Sequence, residues 1–320
     1  MNKIAITCGD PAGVGPELIT KLRGVMEDDF AHIIYIPRDV LKSAEDLTGA
    51  AVGAKEVDSP SEAKSPGVFL IDIGYQRGWE KPSLASGRVA LSSLARALAD
   101  CLTGEIDGIL TMPISKYWSK KAGFNFPGQT EYLANATRTD EFIMMMYSRK
   151  IRVVPLSTHL PLRDAINLVS KKRIIKRVMV VWREYKRFFK AEPTIGVLGL
   201  NPHAGEMGEF GREEIDEIAP AVEDLSNQGI KVKGPLSPDS AFVDPGTCDV
   251  FLAMYHDQGL IPFKIYAFRE GVNTTLGLPF PRTSPDHGTA YDIAWMGKAD
   301  PASSVNALEL LKYMVKNLKE

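Results

Sequence analysis

Histidine is the residue type that offers this chain the most chemistry, and four of its five histidines lie in loop-like contexts rich in Pro, Gly, Asp or Asn. His159, His203 and His256 directly follow apolar, strand-like runs, and His287 lies in an Asp-His-Gly-Thr segment. Ligands of α/β proteins bind at the carboxyl ends of strands, and three protein ligands with an open position are the usual catalytic metal arrangement. Because the spacing is long-range, loop histidines that only form hydrogen bonds remain the alternative.

A glycine-rich segment at residues 9–17, Gly-Asp-Pro-Ala-Gly-Val-Gly-Pro-Glu, follows a strand-like run and opens a helix. Glycines allow tight turns and close backbone approach, and a helix N-terminus favours anions. Pro16 suits the first helical turn. The segment matches neither the P-loop nor the usual dinucleotide fingerprint, so it predicts either a ligand loop or a purely structural turn.

Polar residues suited to anions cluster between residues 257 and 290, where Lys264, Asn273, Arg282 and His287 occur. Lys and Arg bind carboxylates or phosphates, and Arg often does so through paired hydrogen bonds. Ordinary surface salt bridges are the alternative interpretation. The segment 128–131, Gly-Gln-Thr-Glu, predicts either a helix start capped by Thr130 or a ligand loop.

The elements that must position these residues alternate between strand-like and helix-like patterns, which predicts an α/β fold with a largely parallel sheet. Two strand-like runs, Glu141–Tyr147 and Ile151–Ser157, predict a hairpin, and Leu162–Lys190 predicts a long helix with a possible break. The other predicted strands are Lys3–Thr7, Ile33–Ile36, Val68–Ile73, Gly108–Thr111, Thr194–Leu200, Val250–Tyr255 and Asn273–Leu278. The other predicted helices are Pro16–Met26, Ala85–Leu102, Arg212–Ser226 and Ala302–Leu318.

The chain lacks repeats, low-complexity tracts and an obvious linker, which favours two lobes that share a core. We expect residues 1–112 and 250–320 to form a discontinuous cofactor-side lobe. Residues 113–249 are expected to form the second lobe, which carries dimer-interface elements.

Composition is that of a globular protein: 320 residues, 44% hydrophobic, 24% charged and a net charge of −2. The mixed charges lack the basic stripe of a nucleic-acid-binding protein. Neither a signal peptide nor a membrane-spanning run is evident, so we expect a soluble protein without a membrane partner. Cys8, Cys101 and Cys248 are scattered and odd in number, which predicts free thiols in a reducing cytoplasm.

Ordered motifs along nearly the whole chain resemble those of the 4-hydroxythreonine-4-phosphate dehydrogenase (PdxA) family. They include TCGDPAGVGPE at 7–17, TMPISK at 111–116, GQTE at 128–131, LNPHAGE at 200–206, MYHDQG at 254–259, NTTLGLPF at 273–280 and DHGTA at 286–290. The resemblance implies a two-lobed fold like that of isocitrate and isopropylmalate dehydrogenases, with a mixed, largely parallel sheet. The segments Gly9–Glu17 and His287–Asp292 resemble cofactor-side segments of those enzymes.

The resemblance also assigns roles to individual residues. It implies that a divalent metal (Zn, Mg, Mn or Co) is shared across a homodimer interface and that the cofactor is NAD or NADP. The implied metal ligands are His159, His203 and His256. The implied substrate-binding residues are Gln129, Thr130, Lys264, Asn273 and Arg282, and the implied catalytic residues are Asp239, Asp257 and Lys264. The implied cofactor-binding residues are Gly13, Gly15, His287 and Asp292.

The implied activity is oxidation of the secondary hydroxyl of 4-hydroxythreonine 4-phosphate, followed by decarboxylation, in pyridoxal 5'-phosphate biosynthesis. One departure concerns the substrate: the family usually has histidine where this chain has Gln129. Glutamine can donate a hydrogen bond but carries no charge near neutral pH. The alternative is therefore a related dehydrogenase that acts on another hydroxy acid, such as a sugar-acid phosphate or a carboxylated cyclohexadiene diol.

Overall fold

The computed structural model describes residues 1–74 and 77–319, and this part of the chain forms twelve strands and ten α-helices. The strands are β1 Lys3–Thr7, β2 Ala31–Tyr35, β3 Lys55–Glu56, β4 Gly67–Ile71, β5 Gly108–Thr111, β6 Ile143–Tyr147, β7 Arg152–Pro155, β8 Ile195–Leu198, β9 Val232–Leu236, β10 Val250–Ala253, β11 Val272–Leu276 and β12 Arg282–Pro285. The helices are α1 Gly15–Lys21, α2 Arg38–Thr48, α3 Leu84–Leu102, α4 Lys116–Lys121, α5 Gln129–Ala136, α6 Leu162–Ile166, α7 Lys171–Phe189, α8 Ala219–Asn227, α9 His256–Ala267 and α10 Ala302–Lys319.

The chain divides into two compact units, of which the first contains residues 1–140 and 278–320. Its strands are all parallel and follow the order β3-β4-β2-β1-β5-β12. Ile4, Ile6 and Ile33 are fully buried, because helices cover parallel sheets on both faces and such strands become continuously apolar. The ends of β1 and β5 lie side by side, since Thr7 pairs with Thr111.

The second unit contains residues 141–277 and has a mixed sheet in the order β11-β6-β7-β10-β8-β9. The strand pairs β11–β6 and β6–β7 are antiparallel, whereas β7, β10, β8 and β9 are parallel to their neighbours. The predicted hairpin is therefore confirmed as β6–β7. The hydrophobic core of the second unit includes Val153, Phe251 and Phe263, which pack strands β7 and β10 against α9.

These observations confirm the predicted α/β class with a mixed, largely parallel sheet. The long helical pattern predicted at 162–190 is broken into α6 and α7, and the predicted helix at 212–226 begins as a π-helical turn, Glu214–Ile218, before α8. Short elements that lack clear periodicity, among them α4 and β12, were not predicted. Helix α5 begins in the 128–131 segment, for which a helix start was one of the two interpretations. No helix in the described ranges is long and apolar enough to span a membrane.

The compact units end at different residues from the predicted lobes. The first boundary, predicted after residue 112, lies between Asp140 and Glu141. The second boundary, predicted after residue 249, lies between Gly277 and Leu278. Helix α4 stays with the first unit because it packs closely on α3: a Cβ on Gly87 would lie 2.5 Å from the carbonyl oxygen of Trp118. Strand β11 stays with the second unit because it pairs with β6 along its whole length.

Candidate active site

The three histidines predicted to bind metal all follow neighbouring parallel strands of the second unit. His159 comes after β7, His256 begins α9 directly after β10, and His203 comes after β8. The order of these strands is β7-β10-β8, with Ala253 paired to Pro155 and Leu252 paired to Val197. Because parallel strands end at one edge of a sheet, the fold delivers all three histidine-bearing loops to the same edge.

Two of these histidines are neighbours. The ring centroids of His159 and His256 lie 5.7 Å apart, beside an open cavity of about 330 Å³ that Thr158, Tyr255 and Asp257 also line. The carboxylate of Asp257 lies 2.7 Å from Nδ1 of His256. A carboxylate at one ring nitrogen fixes the orientation of the ring and leaves the other nitrogen as a possible ligand.

His203 lies in a strained turn. Residues 203–207 all have positive φ, a conformation that costs a non-glycine residue about 1–2 kcal/mol. The imidazole is exposed, and its Nδ1 lies 4.0 Å from the carboxylate of Asp239. A 2.6 Å hydrogen bond from the Ser237 hydroxyl lowers the pKa of Asp239, and the nearby His203 acts in the same direction. Strain of this kind persists only where the surroundings hold it, and it occurs often at functional sites.

A buried carboxylate, Glu214, holds the start of this turn. Its Oε1 accepts from the backbone N–H groups of Leu200 and Asn201, at 2.6 and 2.8 Å, and its Oε2 accepts from the Asn201 side chain at 2.9 Å. A Cβ on Gly205 would lie 2.7 Å from Oε2, so a side chain at this position would displace the carboxylate. Glu214 lies in the π-helical turn, and such turns are frequent at functional sites.

The variant Glu214→Gln is expected to lose about 1–3 kcal/mol of stability, because the new amide NH₂ must face a donor. Denaturation by urea measures this loss, and calorimetric zinc binding to the folded variant reports whether the His203 turn has moved. Glu213→Gln is the matched control: Glu213 is less buried than Glu214 and accepts a 2.7 Å hydrogen bond from the Asn201 side-chain amide, so we expect a smaller loss. Equal stability of Glu214→Gln and wild type would contradict a supporting role for this carboxylate.

The donor chemistry of this edge fits a divalent metal in part. Imidazole nitrogens are common ligands for such ions, and Asp257 supports one of them. Within residues 1–74 and 77–319, however, no group of three His, Cys, Asp or Glu side chains is arranged to hold a metal ion. One chain thus brings His159 and His256 together and leaves His203 beside Asp239. The three-histidine set stays a prediction.

In the first unit, the strands β5 and β12 position Arg282. Its backbone pairs with Ile109, so its side chain lies on the same sheet face as Thr111, two residues further along β5. Nε and Nη2 of Arg282 both donate to the Thr111 hydroxyl, at 3.0 and 2.7 Å, and Nη1 lies 3.4 Å from the Thr130 hydroxyl. Burial lowers the pKa of Arg282 to about 10, so the guanidinium is still charged at neutral pH.

The predicted substrate residues Gln129 and Thr130 lie in the first turn of α5. The helix begins at Gln129 with Gly128 as its N-cap, so the proposed capping role of Thr130 is wrong. Its hydroxyl instead accepts from Nη1 of Arg282 at 3.4 Å. The Nε2 group of Gln129 donates to the carbonyl oxygen of Met112 at 3.2 Å. The structure therefore brings Gln129, Thr130 and Arg282 together around the end of β5.

The two segments predicted to bind the cofactor contact each other in the first unit. The N–H of Val14 donates to the carbonyl oxygen of Thr289, and a Cβ on Gly13 would lie 2.7 Å from that oxygen. Gly15 likewise packs against the backbone of Cys8. Packing within the chain therefore explains both glycines, and a contact with cofactor stays a prediction. His287 and Asp292 are exposed in the segment that carries Thr289.

A buried carboxylate, Asp10, reinforces this contact between segments. It accepts from the Tyr291 hydroxyl at 2.6 Å and from the Ala12 N–H at 3.0 Å. Burial raises the pKa of Asp10, although these hydrogen bonds act in the opposite direction. The thiol of the preceding Cys8 is fully buried, which raises its pKa and leaves it unreactive.

The remaining predicted residues belong to the second unit. Lys264 lies in α9, two turns after Asp257, with its Nζ 5.7 Å from the centre of the Phe268 ring. Asn273 is half-buried on β11, and Asp239 is exposed next to Ser237 and His203.

Sequence reasoning missed the supporting residues. Thr111, Glu214, Asp10 and Tyr291 hold predicted residues or segments without having a role assigned to them. The sequence offered one indication of these residues: they are acidic or hydroxyl-bearing residues inside or near a motif that lies next to a buried strand. Many residues without a functional role share that description.

The fold is that of isocitrate dehydrogenase-like enzymes. The isocitrate dehydrogenase of Methylococcus capsulatus aligns with a TM-score of 0.53 and 13% identity, covering 100% of this chain and 87% of that one, a likeness of fold alone. A 4-hydroxythreonine-4-phosphate dehydrogenase structure from Klebsiella pneumoniae aligns with a TM-score of 0.85 and 37% identity, covering 98% of this chain and all of that one. The predicted two-lobed dehydrogenase-like fold is therefore confirmed.

Residues 28–311 match the family described as pyridoxal phosphate biosynthetic protein PdxA. The 4-hydroxythreonine-4-phosphate dehydrogenase of Aquifex aeolicus is 57% identical over 97% of this chain and 98% of its own length. The D-threonate 4-phosphate dehydrogenase of Pectobacterium atrosepticum is 39% identical over 97% of this chain and 98% of its own. The chain belongs to the PdxA family, which identifies it as an oxidoreductase of the dehydrogenase class.

Proposed function

We propose that this chain oxidises the secondary hydroxyl of 4-hydroxythreonine 4-phosphate with NAD or NADP and a divalent metal, as a step in pyridoxal 5'-phosphate biosynthesis. The observation that carries the proposal is the site around the end of β5, read together with the 57% identity to a relative of that name. A buried, charged arginine beside the first turn of a helix is suited to a phosphate or carboxylate. We place the reaction in the cytoplasm, where three buried free cysteines stay reduced.

Substrate binding in this proposal depends on charge and on helix geometry. Arg282 and the first turn of α5 anchor the anionic group, with Thr130 beside them. Lys264 and Asn273 bind other polar groups of the substrate. Because the guanidinium is preorganised by Thr111, little side-chain freedom is lost when the anion binds.

His159, His203 and His256 would hold the metal, which supplies Lewis-acid polarisation of the hydroxyl when bound. Asp257 keeps the His256 ring oriented for this task. The loops that carry Gly13, Gly15, His287 and Asp292 would hold the nicotinamide cofactor, which accepts the hydride.

In the first step, the carbinol carbon loses a hydride and the hydroxyl oxygen loses a proton, which gives a β-keto acid. In the second step, the bond between the carboxyl carbon and the rest of the keto acid breaks and CO₂ leaves. The electron pair of that bond remains on the substrate until a proton is returned. Asp239, Asp257 and Lys264 are the side chains we propose for these proton transfers. The Ser237 hydroxyl lowers the pKa of Asp239, which keeps this carboxylate ionised and available as an acceptor but makes it a weaker base.

A second candidate is a family dehydrogenase whose substrate is another hydroxy acid, either a sugar-acid phosphate or a carboxylated cyclohexadiene diol. Gln129 favours this candidate, since the family usually has histidine there. Loss of a charge-assisted hydrogen bond to phosphate weakens binding by about 1–2 kcal/mol, enough to shift preference among similar acids.

Reduction of NAD⁺ and NADP⁺, followed by absorbance, tests both candidates. The panel contains 4-hydroxythreonine 4-phosphate, D-threonate 4-phosphate and an unphosphorylated diol acid, each with added Zn²⁺, Mg²⁺ or Mn²⁺. The first proposal expects the highest kcat/KM for 4-hydroxythreonine 4-phosphate. A higher value for another acid supports the second candidate, and no turnover with any acid contradicts both.

A homodimer is part of this proposal, and the surface of α9 supports it. Ile261, Ile265 and Phe268 are 60%, 77% and 74% exposed and lie at helical spacing on one face, whereas Leu260 and Phe263 on the other face are buried. Exposed apolar strips of this kind mark interaction sites. A second copy of this chain is the occupant we propose, because α9 begins with His256 and the described residues of one chain do not bring three metal ligands together.

We expect light scattering to give twice the chain mass of 35.2 kDa at assay concentrations. Ile265→Lys should shift the protein toward monomer, because a charge on this strip is costly to bury. Leu102→Lys is the matched control, since Leu102 is 53% exposed on α3 in the other unit. A fully active monomer, or an Ile265→Lys protein that stays dimeric, would contradict the proposed interface.

A further inference from the structure

The orientation of the Gln129 side chain is fixed by its neighbour. Its Nε2 donates to the carbonyl oxygen of Met112 at 3.2 Å. A carbonyl oxygen can only accept, so the nitrogen must face Met112 and the amide cannot be flipped. The oxygen of the amide is thereby placed on the side away from Met112.

That oxygen is an orphan. Oε1 of Gln129 is shielded from solvent and has no hydrogen-bond partner in the described residues. A buried acceptor without a donor is destabilising, and such atoms in native proteins call for a missing partner. An amide oxygen accepts from an O–H or N–H group or coordinates a cation, whereas an ionised phosphate or carboxylate oxygen is only another acceptor.

The same strand end also fixes the cation of this site. Thr111 accepts two hydrogen bonds from Arg282, and the next residue, Met112, accepts from Gln129. On the opposite side, Thr130 lies 3.4 Å from Arg282 and directly follows Gln129. The last residue of β5, the residue that follows it and the first two residues of α5 thus hold one cationic donor and one neutral acceptor in fixed positions.

We propose that Gln129 selects its ligand as an acceptor: it binds an O–H or N–H group that lies beside the anionic group on Arg282. The ligand class is a phosphorylated or carboxylated acid with a neighbouring hydroxyl or ammonium group. This inference deepens the proposed function and rests on it for the location of the substrate. It differs from the expectation that the residue at this position donates to phosphate.

The test is a set of binding cycles measured by calorimetry without nicotinamide cofactor. The ligands are 4-hydroxythreonine 4-phosphate, its analogue with hydrogen in place of the C2 amino group, and its analogue with hydrogen in place of the C3 hydroxyl. The proteins are wild type, Gln129→Met, which has a similar shape without an acceptor, and Gln129→Glu, which keeps an acceptor. Melting temperatures establish that the variants are folded.

In wild type, removal of one of the two donor groups is expected to weaken binding about tenfold. In Gln129→Met the same removal should change affinity by less than about twofold, since the acceptor is already gone. Gln129→Glu should retain the discrimination. If each removal has the same effect in wild type and Gln129→Met, or if wild type binds no phosphorylated acid, the inference is overturned.

Turnover separates this inference from the proposed function. Wild-type protein that shows the expected binding pattern but reduces no NAD⁺ or NADP⁺ contradicts the proposed function and leaves the acceptor role supported. If wild-type protein turns over the substrate, but removal of each donor group weakens binding equally in wild type and Gln129→Met, the proposed function is supported and the acceptor role of Gln129 is contradicted.

Discussion

Replacement of His203 by alanine is expected to remove most of the bound metal and to lower turnover by orders of magnitude. Catalytic metal sites use three protein ligands, and loss of one leaves too few to retain the ion against water. The imidazole is exposed at the edge of the sheet, so its removal creates no cavity in a core. The effect should therefore appear in metal content without a matching loss of stability.

Metal content per chain after dialysis is the primary measurement, with turnover at saturating Zn²⁺ as the second. His287→Ala is the matched control for metal content, because it removes an exposed imidazole that we do not assign as a ligand. We expect that variant to bind as much metal as wild type. A His203→Ala protein with near-normal metal and activity would end the three-histidine proposal.

The arrangement of the histidine loops could be predicted because apolar runs and loop residues are local signals. Strand-like runs before His159, His203 and His256 correspond to β7, β8 and β10, and parallel strands end at one edge. Side-chain geometry was out of reach. The left-handed turn at His203 depends on Glu214, a residue eleven positions later whose burial has no periodic signature.

Glycine shows a second limit of sequence reasoning. Gly13 and Gly15 were predicted to allow a cofactor to approach, yet the backbone of Thr289 and that of Cys8 already occupy the space beside them. A glycine at such a position indicates that another group approaches the backbone closely. The sequence does not tell whether that group belongs to a ligand or to the chain itself. The same uncertainty applies to the unit boundaries, because helix and strand contacts such as α3–α4 decide them after folding.

The proposed substrate anchor, Arg282, was predictable as a residue type, but its structural setting was not. Arg282 was assigned from its motif, whereas its burial on β12 and its two hydrogen bonds to Thr111 follow from strand pairing far along the chain. Because of this setting, we expect a lysine at position 282 to bind the anionic group much more weakly than arginine. A lysine offers one compact charge on a flexible stem and cannot reproduce a planar fork with three bonded nitrogens.

Arg282→Lys is accordingly expected to weaken binding of the phosphorylated substrate about 100-fold or more, the usual effect of breaking a buried, charge-assisted contact. Burial lowers the pKa of Arg282 to about 10, so wild-type binding should be independent of this group between pH 7 and 9 and weaken as pH rises through about 10. Burial lowers the pKa of lysine more readily into the neutral range. The variant should therefore lose its remaining affinity at a lower pH than wild type.

Calorimetric titration of 4-hydroxythreonine 4-phosphate from pH 6.5 to 9 measures both effects in one series. Arg23→Lys serves as the control, because Arg23 is 56% exposed and pairs only loosely with Glu27 at 3.6 Å. That variant should follow the wild-type curve, which excludes a general effect of arginine replacement. Wild-type affinity and pH dependence in Arg282→Lys would show that the anionic group binds elsewhere, and the site around the end of β5 would then lose its assigned role.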